Sequence, residues 1–367
     1  MTNIHRNHLS IDLKKLKQNF HLINEHVKPL KVMAVLKADA YGLGLERISQ
    51  ALIEENVDSF GVAELSEALK IIELKKPIYI LGDILEEEIP LIVEHQIIPP
   101  VNTFEKAKLL NDEAKGKGIK LPIQFLIDTG MGRLGTPIIK AKEFILSCRQ
   151  FSHLQFHGIY SHFPHAYEDQ EFSQKQITAF LELVDELKQE NISFEEIHIA
   201  NSDGIQNIHD ASQFPFTMVR TGINLYGCFD LEGQRVLDLQ EIISLQSRLI
   251  AIRQLTAGDS VGYGRSYTLE KDSLIGTVSI GYADGLPLSL SASGVMIING
   301  HRCPIIGRVS MDYTTVLLPN NSVFEVGDNV MCLGEDTSVS DWAHSKKTIT
   351  YEIICALSPR IQRLYLD

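Results

Sequence analysis

From residue 11 to about 235 the chain alternates short apolar runs with longer stretches whose apolar residues recur near every third and fourth position. The runs at 32–36, 59–63, 78–81, 97–98, 123–127, 157–161, 197–200 and 217–220 read as strands. The fourth is the poorest, because Pro99 and Pro100 follow at once and proline brings no N–H to a sheet. The segments 65–74, 84–94, 141–148 and 172–190 read as helices between them. Eight strand–helix repeats over roughly 220 residues predict a (β/α)8 barrel of the TIM type. An open doubly wound sheet, the alternative, asks for a G-x-G-x-x-G turn after its first strand, and Ala38-Asp-Ala-Tyr-Gly-Leu-Gly44 does not supply one.

Beyond residue 236 the period changes. The runs 244–255, 273–280, 295–298 and 314–318 read as strands parted by Gly, Asp and Asn turns, and Asn299-Gly300 between two apolar runs is a two-residue hairpin signal. The fold class is therefore α/β: a TIM-type barrel over 1–235, then a mainly-β domain over 236–367, with the first ten or so residues free to pack on the β domain. No long linker divides the halves, so they are expected to pack tightly.

Composition narrows the function. The 367 residues carry 34 Lys+Arg against 47 Asp+Glu, a net charge of −13, with 44% hydrophobic and 22% charged residues. That is the balance of a folded globular protein. An acidic total without a basic cluster argues against nucleic acid or an anionic membrane as partner, while leaving room for a small anionic ligand. Five widely spaced cysteines with no C-x-x-C make neither a disulfide framework nor a zinc site. The first residues hold no apolar signal core and no apolar run reaches the roughly 18 residues of a membrane span, so the cytoplasm is the expected location.

In a barrel the chemistry gathers where strands end. Here those positions hold Lys37, the run Asp128-Thr-Gly-Met-Gly-Arg133, His162, Asn201-Ser202 and Arg220-Thr-Gly222-Ile223. Lys37 closes an apolar run; partial desolvation lowers an amine's pKa and makes it a nucleophile, although a strand-end lysine reaching into water has the same local sequence. Ser202 and Gly222-Ile223 follow strands seven and eight, where barrels bind phosphate through hydroxyl and backbone N–H groups, and an ordinary capped loop is again the alternative. A Schiff-base lysine and a phosphate cradle on one rim together suggest pyridoxal phosphate.

These residues resemble the alanine racemase family. The resemblance covers Ala34-Val-Leu-Lys37-Ala-Asp-Ala-Tyr41-Gly-Leu-Gly44, Asp128-Thr-Gly-Met-Gly-Arg-Leu-Gly135, Tyr160-Ser-His162, Ala200-Asn-Ser202, Met218-Val-Arg220-Thr-Gly222-Ile223, Gly262-Tyr263-Gly264, Ile280-Gly-Tyr282, Ser310-Met311-Asp312 and Thr350-Tyr351-Glu352, in order across both halves. It implies a pyridoxal-phosphate enzyme that interconverts L- and D-alanine, supplies D-alanine for peptidoglycan, and works as a homodimer with shared active sites. Lys37 would hold the cofactor and act as one base; Tyr263 of the partner subunit would be the other. His162 and Arg220 would support that tyrosine, and Arg220 would face the pyridine nitrogen. Tyr41, Ser202, Gly222, Ile223 and Tyr351 would hold the phosphate. Arg133 and Met311 would bind the substrate carboxylate, Tyr282 would line the entry, and Asp312 would give support without touching the reacting atoms.

Many members of that family carry a lysine, modified to a carbamate, seven residues before this arginine. Here the position is Leu126, so Arg133 must be held by a bound anion such as chloride, by Asp128, or by a neighbour such as Gln124. His153, His157, His162 and His165 lie close in sequence, but their spacing is unordered and no metal is expected. The nearest rival within the resemblance is a racemase for serine or for a broad range of amino acids. A decarboxylase of similar build would set a carboxylate rather than an arginine against the ring nitrogen, and a bare cofactor carrier would leave the β domain without a purpose.

Overall fold

In the computed structural model, which describes residues 5–230, 233–320 and 322–367, the eight barrel strands are Lys31–Val35, Ser59–Val62, Ile78–Ile80, Pro100–Val101, Leu121–Asp128, Leu154–Tyr160, Glu196–His198 and Met218–Thr221. All pair in parallel, in the orders eighth–first–second–third and fourth–fifth–sixth–seventh. Backbone bonds stitch the two sheets into a closed cylinder. The N–H groups of Ile80 and Ile98 donate to Ile98 and Ile78 at 3.0 and 2.9 Å on one seam, and those of Thr217 and Arg220 to Ile197 and Ala200 at 3.0 and 3.1 Å on the other.

The fourth strand differs from expectation: it lies at Pro100–Val101, with Ile98 bridged to Tyr79. The prolines shift the strand without ending it, because a proline carbonyl still accepts, as Pro99 does from the Gln124 N–H at 3.1 Å. The helices shield the outside in the usual amphipathic way. In Gln170–Gln189, capped by Asp169 accepting from Phe172 N–H at 2.9 Å, the buried Ile177, Phe180, Val184 and Leu187 recur at three- and four-residue steps.

The second half is built on the long strand Ile243–Leu255, which pairs antiparallel with Ser273–Val278, Asn329–Leu333 and His8–Asp12. Gln362–Leu366 lies parallel to His8–Asp12, so an early strand of the chain sits inside the sheet of the second half. The hairpin Val295–Ile298 to His301–Pro304 turns through Asn299 (φ 50°) and Gly300 (φ 77°), the left-handed pair of a type I′ turn. Beyond the strands expected from the pattern, the structure adds His8–Asp12, Asn329–Leu333 and Gln362–Leu366, and the helices Val339–Lys346 and Thr350–Cys355.

Toward the amino-terminal end of the barrel, Glu196 is buried among Lys31 (3.1 Å), His157 (3.4 Å) and the Tyr79 hydroxyl, which donates to it. Burial alone would raise the Glu196 carboxyl; hydrogen bonds from His157 and Tyr79 hold it down to about 2. The bond to Glu196 in turn raises His157 against the opposing effect of burial. A raised histidine stabilises the fold fully below its unfolded value of about 6.5 and loses that contribution as pH climbs through the folded value. The depressed glutamate contributes above about 4.3 and fades as pH falls toward 2. Melting curves of His157→Gln should therefore show a deficit of roughly 1–2 kcal/mol between about pH 4.5 and 6.5 that narrows toward pH 9. A pH-independent deficit would contradict it.

Candidate active site

The carboxyl ends of the barrel strands open into a cavity of about 440 Å³ whose walls include Lys37, Tyr41, Arg133, His162, Ser202, Arg220, Gly222 and Tyr351. Eight of the residues singled out from sequence thus share one space.

Lys37 leaves the first strand at Leu36 and opens an unusual segment. Ala38, Asp39, Ala40 and Tyr41 have φ of 55°, 55°, 54° and 61°, a complete turn of left-handed helix built without glycine. Left-handed geometry costs an ordinary residue about 1–2 kcal/mol, so the turn persists because its surroundings bond it at both ends. Glu67 accepts from the N–H groups of Ala38 (2.5 Å) and Asp39 (3.3 Å). Arg363 donates to the Gly42 carbonyl (3.2 and 3.1 Å) and Tyr365 to that of Leu43 (2.8 Å). Gly44 has no room for a side chain, since a Cβ there would meet the Tyr365 hydroxyl at 2.0 Å. Burial, then the positive charges of Arg133 and Arg220, lower the Lys37 amine from its ordinary value, so more of it is neutral and able to take up a proton.

On the same cavity wall the Ser202 hydroxyl accepts from the Gly222 N–H at 3.0 Å. A Cβ on Gly222 would meet the Tyr41 hydroxyl at 2.3 Å, so the bare glycine lets that hydroxyl enter the cradle. The Tyr41 ring is 6.0 Å from that of Tyr351, and Ile223 begins the short turn Ile223–Tyr226 behind them. Hydroxyls and backbone N–H groups without a cation are a phosphate's donor set.

Arg220 also lines the cavity, buried on the last strand. One Nη donates to His198 Nδ1 at 2.7 Å; the other donates to the Ser161 and Ile199 carbonyls at 2.8 and 2.9 Å and to His162 Nδ1 at 3.2 Å. Its side chain also lies over the Tyr160 ring, 5.5 Å from the centroid. Burial lowers the guanidinium only to about 10, so it stays charged at neutral pH. Burial and the Arg220 charge push His162 well below its usual value. A neutral histidine that accepts at Nδ1 carries its proton on Nε2 and offers it outward. A hidden amine, a guanidinium and a phosphate cradle in one cavity fit a ligand bearing an aldehyde, a ring nitrogen and a phosphate.

Arg133 lines the cavity near Leu126, which is buried. The Asp128 carboxylate accepts from Gly130 and Gly132 N–H groups at 2.9 and 3.1 Å, and the Gln124 amide donates to the Ile80 carbonyl at 3.3 Å.

The other expected residues lie on the second half, outside this cavity. Tyr263 is 72% exposed in the turn Tyr263–Arg265, with Gly262 and Gly264 at positive φ on either side. Tyr282 and Met311 are about half exposed and joined through backbone bonds, Tyr282 N–H to Ser310 and Ala283 N–H to Met311, both 3.0 Å. Asp312 accepts from Arg360 at 2.9 Å, and Arg360 also reaches the buried Asp284 at 3.5 Å.

Two members of the site had gained no role from sequence. His198 closes the seventh strand; its parity with Glu196, a polar partner on the same side, was the available signal. Glu67 offered none, since an acid in the first turn of a helix reads as a partner of the helix dipole. The clustered histidines serve separate tasks: His153 Nδ1 lies 2.9 Å from the Ile119 carbonyl, His157 meets Glu196, His162 meets Arg220 and His165 lies 3.4 Å from Glu168. Among the described residues no group of three His, Cys, Asp or Glu side chains could hold a metal ion, and no helix is long and apolar enough to cross a membrane.

Comparison with known proteins covers both halves. Residues 11–230 match the family described as alanine racemase, N-terminal domain, and residues 242–365 the one described as alanine racemase, C-terminal domain. An alanine racemase of Streptococcus uberis is 37% identical over 98% of this chain and 97% of its own length; one from Borreliella burgdorferi is 33% identical over 97% and 96%. Among solved structures, the alanine racemase of Clostridium difficile 630 superposes with a TM-score of 0.92 at 29% identity, covering 99% of this chain and 96% of that one. The alanine racemase of Bartonella henselae, solved with covalently bound pyridoxal phosphate, superposes with 0.88 at 30% identity over 98% and 99%.

Proposed function

The chain belongs to the alanine racemase family, and from that premise we propose that it interconverts L- and D-alanine with pyridoxal phosphate as its cofactor. The observation that carries the reading is the placement of Lys37, Arg220 and the Ser202–Gly222 cradle in a single cavity on the barrel rim. When bound, the cofactor supplies an electron-accepting ring that makes the Cα proton of an attached amino acid removable. Lys37 would hold it, with Tyr41, Ser202, Gly222, Ile223 and Tyr351 around its phosphate. Arg220 keeps its own proton and would donate to the ring nitrogen, so that this nitrogen would stay unprotonated and return of the proton would be favoured over further chemistry.

Inverting Cα requires a proton to leave one face and another to arrive on the opposite face. The Lys37 amine serves one face. The phenol of Tyr263 in the partner subunit serves the other, with the Nε2–H of His162 donating to its oxygen while Nδ1 is fixed by Arg220. Exposure of Tyr263, Tyr282 and Met311 on one half of a chain whose cavity lies in the other supports a homodimer with shared sites. Arg133 and the Met311 backbone N–H bind the substrate carboxylate. Tyr282 lines the approach, and Asp312 holds its loop through Arg360. With Leu126 in the lysine position, an anion such as chloride beside Arg133 takes the carbamate's place. The protein acts in the cytoplasm, where its D-alanine feeds peptidoglycan.

Incubating the purified protein with single L-amino acids and separating the enantiomers tests this. L- and D-alanine should each be driven to equal amounts, with L-serine slower by at least about tenfold, the discrimination one polar atom gives in a small pocket. Comparable rates with serine would replace the alanine assignment by a broader one, and no D-alanine at all would overturn it.

A further inference from the structure

We propose that Glu67 is a positioning residue for the reaction: its carboxylate holds the left-handed turn that aims Lys37. The proposal rests on the assignment of Lys37 above.

The turn from Ala38 to Tyr41 begins immediately after Lys37, so its first N–H groups have no earlier carbonyl within the turn to receive them. Right-handed helices solve this with a capping side chain from their own segment. Here the cap comes from the next βα unit. One oxygen of Glu67 accepts from Ala38 and Asp39 at 2.5 and 3.3 Å, and the other accepts from Ala63 N–H, just past the second strand, at 2.8 Å. A single buried carboxylate thereby fastens the turn to the neighbouring strand end. The far end of the turn has other supports, in Arg363, Tyr365 and the Asp39 carboxylate, which accepts from Leu45 N–H at 2.9 Å. The near end, adjoining the lysine, is held by Glu67. Three N–H groups approach two oxygens, so an acceptor is required on both sides. A glutamine has one acceptor and turns an N–H₂ toward the other group.

The test uses the holoenzyme. Glu67→Gln should lower kcat for alanine about 10- to 100-fold, the scale of a small misplacement of a reacting group, while KM changes less than about threefold. Hydrogen exchange at the amides of Ala38 and Asp39 should rise at least about tenfold, with exchange in the barrel strands unaltered. Because glycine adopts left-handed geometry without strain, adding Ala38→Gly to Glu67→Gln should recover a substantial part of the lost kcat. Unchanged kcat, unchanged exchange at 38 and 39, or a loss that glycine does not relieve would each overturn the proposal. If Glu67→Gln does not accumulate folded, Glu67→Asp, whose shorter arm cannot span both loops, is read by the same criteria. Lys37→Ala serves as the reference. An active Lys37→Ala protein removes the assignment of Lys37 itself, whereas an inactive one beside an unimpaired Glu67→Gln removes only the role of Glu67.

Discussion

Replacing Lys37 by alanine is expected to lower kcat/KM for alanine racemisation by at least about 10³-fold in both directions and to abolish the visible absorbance of lysine-held cofactor. General base catalysis alone is worth about 10² to 10⁴, and this side chain has a second duty in holding the cofactor. Neither the histidine nor the arginines named on the cavity wall substitute for it. His162 is kept neutral with Nδ1 engaged by Arg220, and Arg220 retains its proton. The cradle of Ser202, Gly222 and Tyr41 is untouched by the change, so the variant should still take up the cofactor non-covalently. Initial rates from each enantiomer, together with a visible spectrum, check the expectation. A variant that stays yellow and active would show that Lys37 is not the attachment point.

Tyr263→Phe should give a one-sided loss. Exchange of the Cα hydrogen with solvent deuterium should fall about 10²- to 10⁴-fold for one enantiomer and far less for the other, because Lys37 still serves its own face. In water a phenol, with a pKa of about 10, is a poor base at neutral pH; in the proposed scheme the outward N–H of His162 would donate to its oxygen and favour the anion. Equal losses for both enantiomers would defeat the two-base scheme. Mixing the two inactive variants probes the sharing of sites. A dimer of one Lys37→Ala and one Tyr263→Phe subunit contains one intact pair of bases, so random reassociation should return about a quarter of the unmutated activity. No recovery would mean that each subunit works alone.

The barrel was legible because most of its strands coincide with apolar runs that end in polar groups, and the order Lys37, Arg133, His162, Ser202, Arg220 follows the order of those ends. What stayed hidden depends on contacts distant in sequence. His8–Asp12 is a strand because Ile243–Leu255 and Gln362–Leu366 flank it, and no local pattern encodes partners more than 200 residues away. The left-handed turn after Lys37 is opaque for a sharper reason. Ala-Asp-Ala-Tyr favours the right-handed form, and the preference is reversed by Glu67, Arg363 and Tyr365, drawn from two other parts of the fold. His198 was hidden in plain view, inside a run whose apolar neighbours had already been assigned to a strand.

The strand His8–Asp12 also carries a consequence for how the molecule is made. It is translated before the barrel, whereas both of its neighbours, Ile243–Leu255 and Gln362–Leu366, are translated after it. At 5–20 residues per second that interval is on the order of tens of seconds. Throughout it the nascent polypeptide presents an open backbone edge, a template for mispairing and a natural handhold for chaperones. The strand that closes the edge also brings Arg363 and Tyr365 to the turn beyond Lys37, so that turn gains its far supports only after the barrel and the long strand have been made.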